Sequence, residues 1–252
     1  MAELHRLNRR LFLREAGTGI AVAVLGPGVL AACSSDGEVS TAPTATNPPE
    51  GSAEEAFRWE RVVLGTVSAY VLSRGRELAV VDTGFAGGAD QIGSALAALG
   101  GTWDDVDHVV LTHLHGDHVG GLPEVLERAP RAVAWAGTAD VEAIDSPRPI
   151  MPLEGGDEVF GMEVIATPGH TPGHISVLDA AASFLVAGDA LNEDAGMILG
   201  PNPRFTGDMA EAEASVARLA ERSFETVVFG HGDPFEGGAS EAVVALAQTF
   251  GA

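Results

Sequence analysis

Short apolar runs, each closed by a glycine, a turn residue or a polar donor, recur from Val62 almost to the end of the chain. Val62–Val67, Ala69–Ser73 and Leu78–Asp82 predict three consecutive short strands, with Arg74-Gly75-Arg76 as a hairpin turn. Val109-Val110-Leu111, Ala132–Ala136, Val159–Ala166, Ile175–Leu178, Phe184–Ala187 and Val227-Val228-Phe229 read as further strands, too short and too β-rich for buried helices. Ala89–Leu99 has helical character and stops at Gly100-Gly101, a C-cap signal. Leu122–Arg128 is a short helix with Pro123 in its first turn. Ala139–Ile144 reads as another short helix. Asp208–Arg222 is the clearest amphipathic helix, and Ala239–Gln248 closes the chain as one more. Pro147, Pro149 and Pro152 mark a loop expected to border a functional site. Strands and helices mixed in this rhythm predict an α/β fold, two sheets covered by helices on the outside.

The first residues read differently. Asn8-Arg9-Arg10-Leu11-Phe12-Leu13-Arg14 matches the twin-arginine export pattern, and a modestly apolar stretch follows to Ala32. Leu30-Ala31-Ala32-Cys33 then resembles the lipobox of bacterial lipoproteins. The chain's single cysteine sits in that box. Residues 1–33 are therefore expected to be a signal peptide lipidated at Cys33, and an uncleaved N-terminal anchor helix is the alternative. Residues 34–56, rich in Ser, Thr, Pro, Ala and acidic side chains, read as a flexible tether. Residues 57–252 form the expected catalytic domain, ample for one sizeable core. The expected location is the outer face of the bacterial cell membrane, reached through the lipid anchor alone.

Charge narrows the partners. The chain carries a formal −22 and no lysine. Losing residues 1–32 would remove four arginines and two glutamates, a net two positive charges, leaving −24. Such a field repels nucleic acid, and no basic stripe offsets it. A small-molecule substrate is expected instead. With Cys33 committed, no disulfide can hold the mature fold.

The candidate chemistry lies where strands end. Directly after Val109-Val110-Leu111 comes Thr112-His113-Leu114-His115-Gly116-Asp117-His118. Nitrogen and oxygen donors so closely spaced suit a borderline cation such as zinc. The same grammar of apolar run, glycine and donor recurs in Ala166-Thr167-Pro168-Gly169-His170-Thr171-Pro172-Gly173-His174, in Leu185-Val186-Ala187-Gly188-Asp189 and in Val227-Val228-Phe229-Gly230-His231. Upstream, Leu78-Ala79-Val80-Val81-Asp82 follows it too. Donors at the ends of several strands converge when those strands share a sheet. His108, at the head of its strand, reads as structural, and Asp233, before Pro234, as a turn residue.

Together these segments resemble the metallo-β-lactamase superfamily, whose hallmark is His-x-His-x-Asp-His followed by later Gly-His, Gly-Asp and Gly-His elements in this order. The resemblance covers the chain from about Val62 onward. It implies a four-layer αββα sandwich with two metals at one edge, most simply two Zn2+, with Fe or Mn as alternatives. It places His113, His115 and His170 on one metal and Asp117, His118 and His231 on the other, with Asp189 bridging. Asp117 would also position the nucleophile and shuttle a proton. Asp82 would orient a ligand from behind, and His174 would pack or hydrogen-bond near the site.

The implied activity is a dinuclear metal-dependent hydrolase that uses a metal-bridging hydroxide on an ester, thioester, lactone or lactam. Lactamase branches with a Cys ligand do not fit, and the all-His lactamase branch generally lacks the bridging Asp, but the expected exported location leaves a β-lactamase open as an alternative. Gly-His-Thr-Pro-Gly-His and Gly-Asp-Ala-Leu are similar to glyoxalase II. The basic residues and C-terminal helical domain with which that enzyme binds glutathione have no counterpart in the roughly twenty residues after His231. Met197-Ile198-Leu199 with Phe205 is either a lip selecting an uncharged acyl group or core. Two other classes remain open: a persulfide dioxygenase-like oxidoreductase holding one iron, and a non-catalytic binding module, against which the complete donor set argues.

Overall fold

The computed structural model describes residues 56–250. The expected signal peptide, Cys33 and nearly all of the expected tether lie outside the described residues.

Strands β1 (Phe57–Leu64), β2 (Val67–Arg74) and β3 (Glu77–Val81) form an antiparallel meander. The first turn is Gly65-Thr66, so Val67 opens β2 and does not extend β1 as the apolar run suggested. β1 also begins earlier than expected. Phe57, Trp59 and Arg61 are half-buried while Arg58 and Glu60 face solvent, and the Trp59 and Phe184 rings meet at 5.1 Å. β4 (Val106–Leu111), β5 (Val133–Gly137) and β6 (Ile150–Leu153) add in parallel and complete a six-stranded sheet ordered β1-β2-β3-β4-β5-β6.

The second sheet uses β7 (Glu158–Val159), β8 (Met162–Ala166), β9 (Ile175–Asp179), β10 (Phe184–Gly188), β13 (Thr226–Phe229) and β14 (Phe235–Glu236), in the order β14-β13-β10-β9-β8-β7. Between β10 and β13, β11 (Asn192–Asp194) and β12 (Met197–Leu199) form a separate hairpin. Helices are α1 (Ala89–Ala98), α2 (Gly116–Val119), α3 (Leu122–Arg128), α4 (Met209–Ala220) and α5 (Ala239–Phe250).

Side-chain alternation sorts the strand residues into three apolar layers. Between the sheets lie Tyr70, Leu72, Ala79, Val81 and Val110 of the first, facing Met162, Val164, Val177, Phe184, Val186 and Val228 of the second. The residues between them in sequence point outward. Val71, Leu78, Val80, Val109 and Leu111 pack under Ile92 and Leu96 of α1 and Leu122, Val125 and Leu126 of α3. Ile165, Leu178, Leu185, Val227 and Phe229 pack under Val216 and Leu219 of α4 and Val243 of α5. Burial on both faces explains why these strands read as continuous apolar runs rather than clean alternations. The architecture is a four-layer αββα sandwich.

Three local expectations need correction. Ala139–Ile144 is not an α-helix; only a 3-10 turn, Val141–Ala143, forms there. Val159–Ala166 is not one strand but a hairpin, β7 turning into β8 through Phe160 (φ +52°) and Gly161 (φ +67°). Positive φ at both central residues is the geometry of a tight hairpin turn, and a Phe in that position gives no sequence warning. Pro152 lies within the edge strand β6, where a missing N–H is tolerated. Neither it nor Pro147 or Pro149 lines the cavity over His115, Asp117 and His231 or the one adjoining it. His108, as expected, is structural, its Nδ1 accepting from Trp135 Nε1–H at 3.1 Å. Asp233 pairs with Arg61 at 2.6 Å. Among the described residues no helix is long and apolar enough to cross a membrane.

Candidate metal centre

β3, β4, β8, β10 and β13 all deliver their C-terminal ends to one edge of the sandwich, and the donors follow directly. His113 and His115 lie just past β4. The single turn α2 then carries Asp117 and His118 on different faces, while His170 and His174 sit in the β8–β9 loop. Asp189 follows β10, and His231 comes two residues after β13.

The seven side chains fall into overlapping groups whose donor atoms lie within 4.8 Å of one another. These are His113, His115 and His170; His113, His118 and Asp189; and Asp117, His118 and His231. In the first, His115 Nδ1 is 3.0 Å from His113 Nε2 and 2.9 Å from His170 Nε2. One ring nitrogen offers a single in-plane hydrogen or lone pair, so it cannot hydrogen-bond to both. Three nitrogens aimed at one point are instead close to the edge length of about 3.3 Å that a tetrahedron of 2.0–2.1 Å zinc–nitrogen bonds requires. In the third group His231 Nε2 lies 3.3 Å from Asp117 Oδ2, and His118 Nε2 lies 4.0 Å from it. Asp189 stands between the outer groups. Its Oδ1 is 3.4 Å from His118 Nε2, and its Oδ2 is 3.5 Å from His170 Nε2 and 3.4 Å from His231 Nε2.

Outward hydrogen bonds fix which nitrogen faces in. His118 Nδ1–H donates to Asp82 Oδ2 at 2.8 Å, and His231 Nδ1–H to the Thr66 carbonyl at 2.7 Å. His113 Nδ1 lies 3.0 Å from Thr112 Oγ1, whose own hydrogen goes to Asp82 Oδ2 at 2.8 Å. His170 Nδ1 lies 3.1 Å from Thr206 Oγ1, whose hydrogen goes to the Asn202 carbonyl at 2.8 Å. Both hydroxyls are therefore acceptors toward their histidines. In their neutral forms the four imidazoles therefore turn Nε2 lone pairs into the cluster, the arrangement that second-sphere acceptors impose on metal-binding imidazoles. Two buried atoms, His118 Nε2 and Asp189 Oδ1, have no hydrogen-bond partner at all. Leaving them bare is costly, and a cation would satisfy both. The residues fit a pair of metal ions.

Supporting residues are close-packed behind the donors. Asp82, buried and at φ +59°, accepts from both the N–H and the hydroxyl of Thr112 as well as from His118. His174 Nε2 accepts the Asp189 backbone N–H at 3.0 Å, while its Nδ1 meets Thr167 Oγ1 at 2.8 Å. His174 thus places Asp189 and donates nothing to the cluster. At Gly230 any Cβ would overlap Asp189 Oδ1, so glycine is required there for close approach rather than for a turn. Thr112, Thr206 and the Thr66 carbonyl were not identifiable from the sequence. Only the adjacency of Thr112 to His113 offered a hint.

Electrostatics divide the cluster. Burial holds His113 well below the usual histidine range, and neighbouring imidazoles add to the effect. Burial also takes His170 to about 4 and His174 to about 3. In the other half, hydrogen bonds to Asp117 and Asp189 lift His231 to about 10. His118 is raised as well: burial opposes its charge, but Asp82 beside it outweighs that. Asp117 is held low by its bond to His231, and Asp189 is driven low against its burial by His231 and His118.

The donors floor a cavity of about 520 Å3 whose walls include Thr66, Asn192, Asn202 and Phe205. A second lobe of about 550 Å3 shares Asn192, Asn202 and His231 and adds Leu199, Pro201 and Phe250. Ile198 packs into the core, whereas Phe205 and Leu199 line the lobes and Met197 is exposed. The apolar segment is thus part core and part lip. Among the described residues no Arg or Lys lines either lobe.

Comparison with known proteins agrees with this geometry. The profile of the Metallo-beta-lactamase superfamily matches residues 62–231. The uncharacterized protein YobT of Bacillus subtilis is 30% identical over 196 residues, 66% of this chain and 83% of its own length. The hydroxyacylglutathione hydrolase of Gloeobacter violaceus is 41% identical over 122 residues, 47% of this chain and 46% of its own length. The chain thus spans about half the length of that relative. Among solved structures, TTHA1623 in a di-iron-bound form is 26% identical, with a TM-score of 0.60 over 73% of this chain and 98% of that one. The metallo-beta-lactamase SMB-1, at 19% identity and TM-score 0.61, covers 75% of this chain and 90% of its own and shares the fold.

Proposed function

The chain belongs to the metallo-beta-lactamase superfamily, and from that premise we propose that it is a dinuclear metal-dependent hydrolase of small esters, thioesters, lactones or lactams. The observation that carries this reading is the set of four imidazoles whose Nδ1 atoms are engaged outward while their Nε2 atoms converge with His115, Asp117 and Asp189. His113, His115 and His170 would hold one ion, Asp117, His118 and His231 the other, and Asp189 would touch both. Bound there, two divalent cations supply Lewis acidity and a water acidified to a pKa of about 7.

The chain's own groups do the rest. Both donor-set carboxylates line the cavity, and Asp117 is the more exposed of the two, so it can accept the attacking water's proton and deliver one to a departing alkoxide, thiolate or amine. Asn192 and Asn202 offer neutral hydrogen bonds to a substrate carbonyl or amide. Phe205 and Leu199 favour an apolar acyl portion. Without a basic residue in the lining, a substrate that carries its own carboxylate finds no counter-charge except the metals. That weighs against a β-lactam and against glutathione. Zinc is the preferred metal. Iron is the principal alternative because a structural relative holds two irons, and manganese is a third.

Elemental analysis beside a panel of chromogenic esters, lactones, thioesters and cephalosporins tests the reading. Two zinc ions per chain and chelator-reversible hydrolysis of an uncharged ester or lactone are expected. One iron per chain, with oxygen consumed in the presence of a persulfide, would replace the reading with the oxidoreductase alternative.

The proposal extends to location. The pattern at residues 8–14 and the box ending at Cys33 support export as a lipoprotein tethered by residues 34–56. Cys33→Ala should leave the precursor without lipid and shift it from the membrane fraction to the soluble one. An unchanged membrane fraction carrying no lipid in either protein would identify an uncleaved anchor.

A further inference from the structure

Asp140 is fully buried and lies outside every donor group, at the end of the turn that follows β5. Burying a carboxylate is costly unless its lone pairs are engaged, and these are engaged in one direction only. Oδ2 accepts the Leu114 backbone N–H at 3.0 Å and the Thr171 hydroxyl at 2.6 Å; Oδ1 accepts the Gly173 backbone N–H at 2.7 Å. Leu114 sits between His113 and His115, and Thr171 directly follows His170. The two loops that supply the three-histidine group are thus joined through a single side chain. Contact is close throughout: a Cβ on Gly173 would strike Asp140, and one on Gly137 would overlap the Gly173 carbonyl.

Asp82 serves the other group directly, through His118, and reaches His113 of this group only by way of the Thr112 hydroxyl. It bonds to Thr112 and His118 and, among the described residues, to nothing in the β8–β9 loop. We propose that Asp140 is a positioning residue for the three-histidine half of the centre, clamping the His113–His115 loop to the His170 loop so that one ion binds there. This rests on the reading that the cluster holds two metals.

Asparagine is nearly isosteric but cannot accept at both oxygens. In either orientation its NH2 group faces a backbone N–H, from Leu114 or from Gly173. Cobalt(II) titration of the full chain, followed by absorbance, provides a readout independent of activity. The wild-type chain should take up two equivalents. Asp140→Asn should bind one of them 10- to 100-fold more weakly, the usual loss for an outer-sphere partner, and keep the other. Thr171→Val removes only one of the three bonds and should weaken the same equivalent about fivefold; it decides the matter if the Asn variant does not fold. In a His115→Ala background, Asp140→Asn should cost little more, because the group it positions has already been broken. Two tight equivalents in both single variants would overturn the role of Asp140 while leaving the hydrolase reading standing, as would a full additional loss in the His115→Ala background. A wild-type chain that takes up no cobalt would overturn both.

Discussion

Asp189→Ala is expected to reduce the metal content from two ions per chain to one and to lower kcat/KM on the preferred substrate by about 1000-fold. The magnitude follows from what a second cation contributes. Transition-state charge stabilisation of several kcal/mol is lost, and about 4 kcal/mol corresponds to that factor. Position makes the residue irreplaceable. No other carboxylate in the cluster has its two oxygens at 3.4–3.5 Å from both His170 and the His118–His231 pair. Asp117, the nearest alternative, approaches only His231 and His118. The backbone at residue 189 is held independently by His174, so alanine should leave the loop in place. Circular dichroism should therefore be unchanged while elemental analysis and turnover fall together. Two ions retained, with turnover within a few-fold of wild type, would rule out Asp189 as the shared ligand. Asp189→Asn keeps one acceptor oxygen and should fall between the two.

The donors were legible in the sequence because each stands immediately after an apolar strand, and a strand's end fixes where the next residues go. Val109-Val110-Leu111 before His113 and Leu185-Val186-Ala187 before Asp189 are examples, and the layered core that buries them was readable for the same reason. Asp140 was not legible. It stands three residues after β5 but inside Ala139–Ile144, which has the composition of a helix, and the chain there is drawn into a turn by the bonds Asp140 makes to residues 26 and 33 positions away. The start of β1 was hidden for a related reason. Arg58, Glu60 and Arg61 dilute its apolar character, and pairing with β2 together with packing on Phe184, far along the chain, makes Phe57 and Trp59 strand residues. Tertiary partners decide such segments, and composition alone does not name them. The thresholds between β7 and β8 and between β11 and β12 were equally silent, because Phe160 and Ala195 adopt positive φ, where glycine or asparagine is expected.

The two halves of the centre should also respond oppositely to pH once metal is removed by chelation. His170 and His174, held at about 4 and about 3 by burial, stay neutral in the folded chain at pH 5, whereas in the unfolded chain they titrate near 6.5. Between pH 6.5 and 5 the unfolded state therefore binds more protons, and stability falls as the pH falls. Each group contributes about 1–2 kcal/mol over that interval, so the pair removes about 3 kcal/mol from a total that is typically about 5–15. His113, displaced in the same direction, adds to the loss. His118 and His231 do not offset it. Their folded-state values are raised, so below 6.5 they are charged in both states; their contribution is present there and declines only as the pH climbs toward the value of about 10 reached by His231. Urea unfolding of the metal-free chain should consequently show maximal stability near pH 6.5, with a steep acid limb and a shallower alkaline one. His174→Asn, which can still accept the Asp189 N–H but has no charge to gain, should flatten the acid limb by about 1.4 kcal/mol per pH unit. An unfolding free energy that does not change between pH 7 and 5 would mean that His113, His170 and His174 take up protons in the folded state as readily as in the unfolded one, which would overturn their burial as neutral imidazoles.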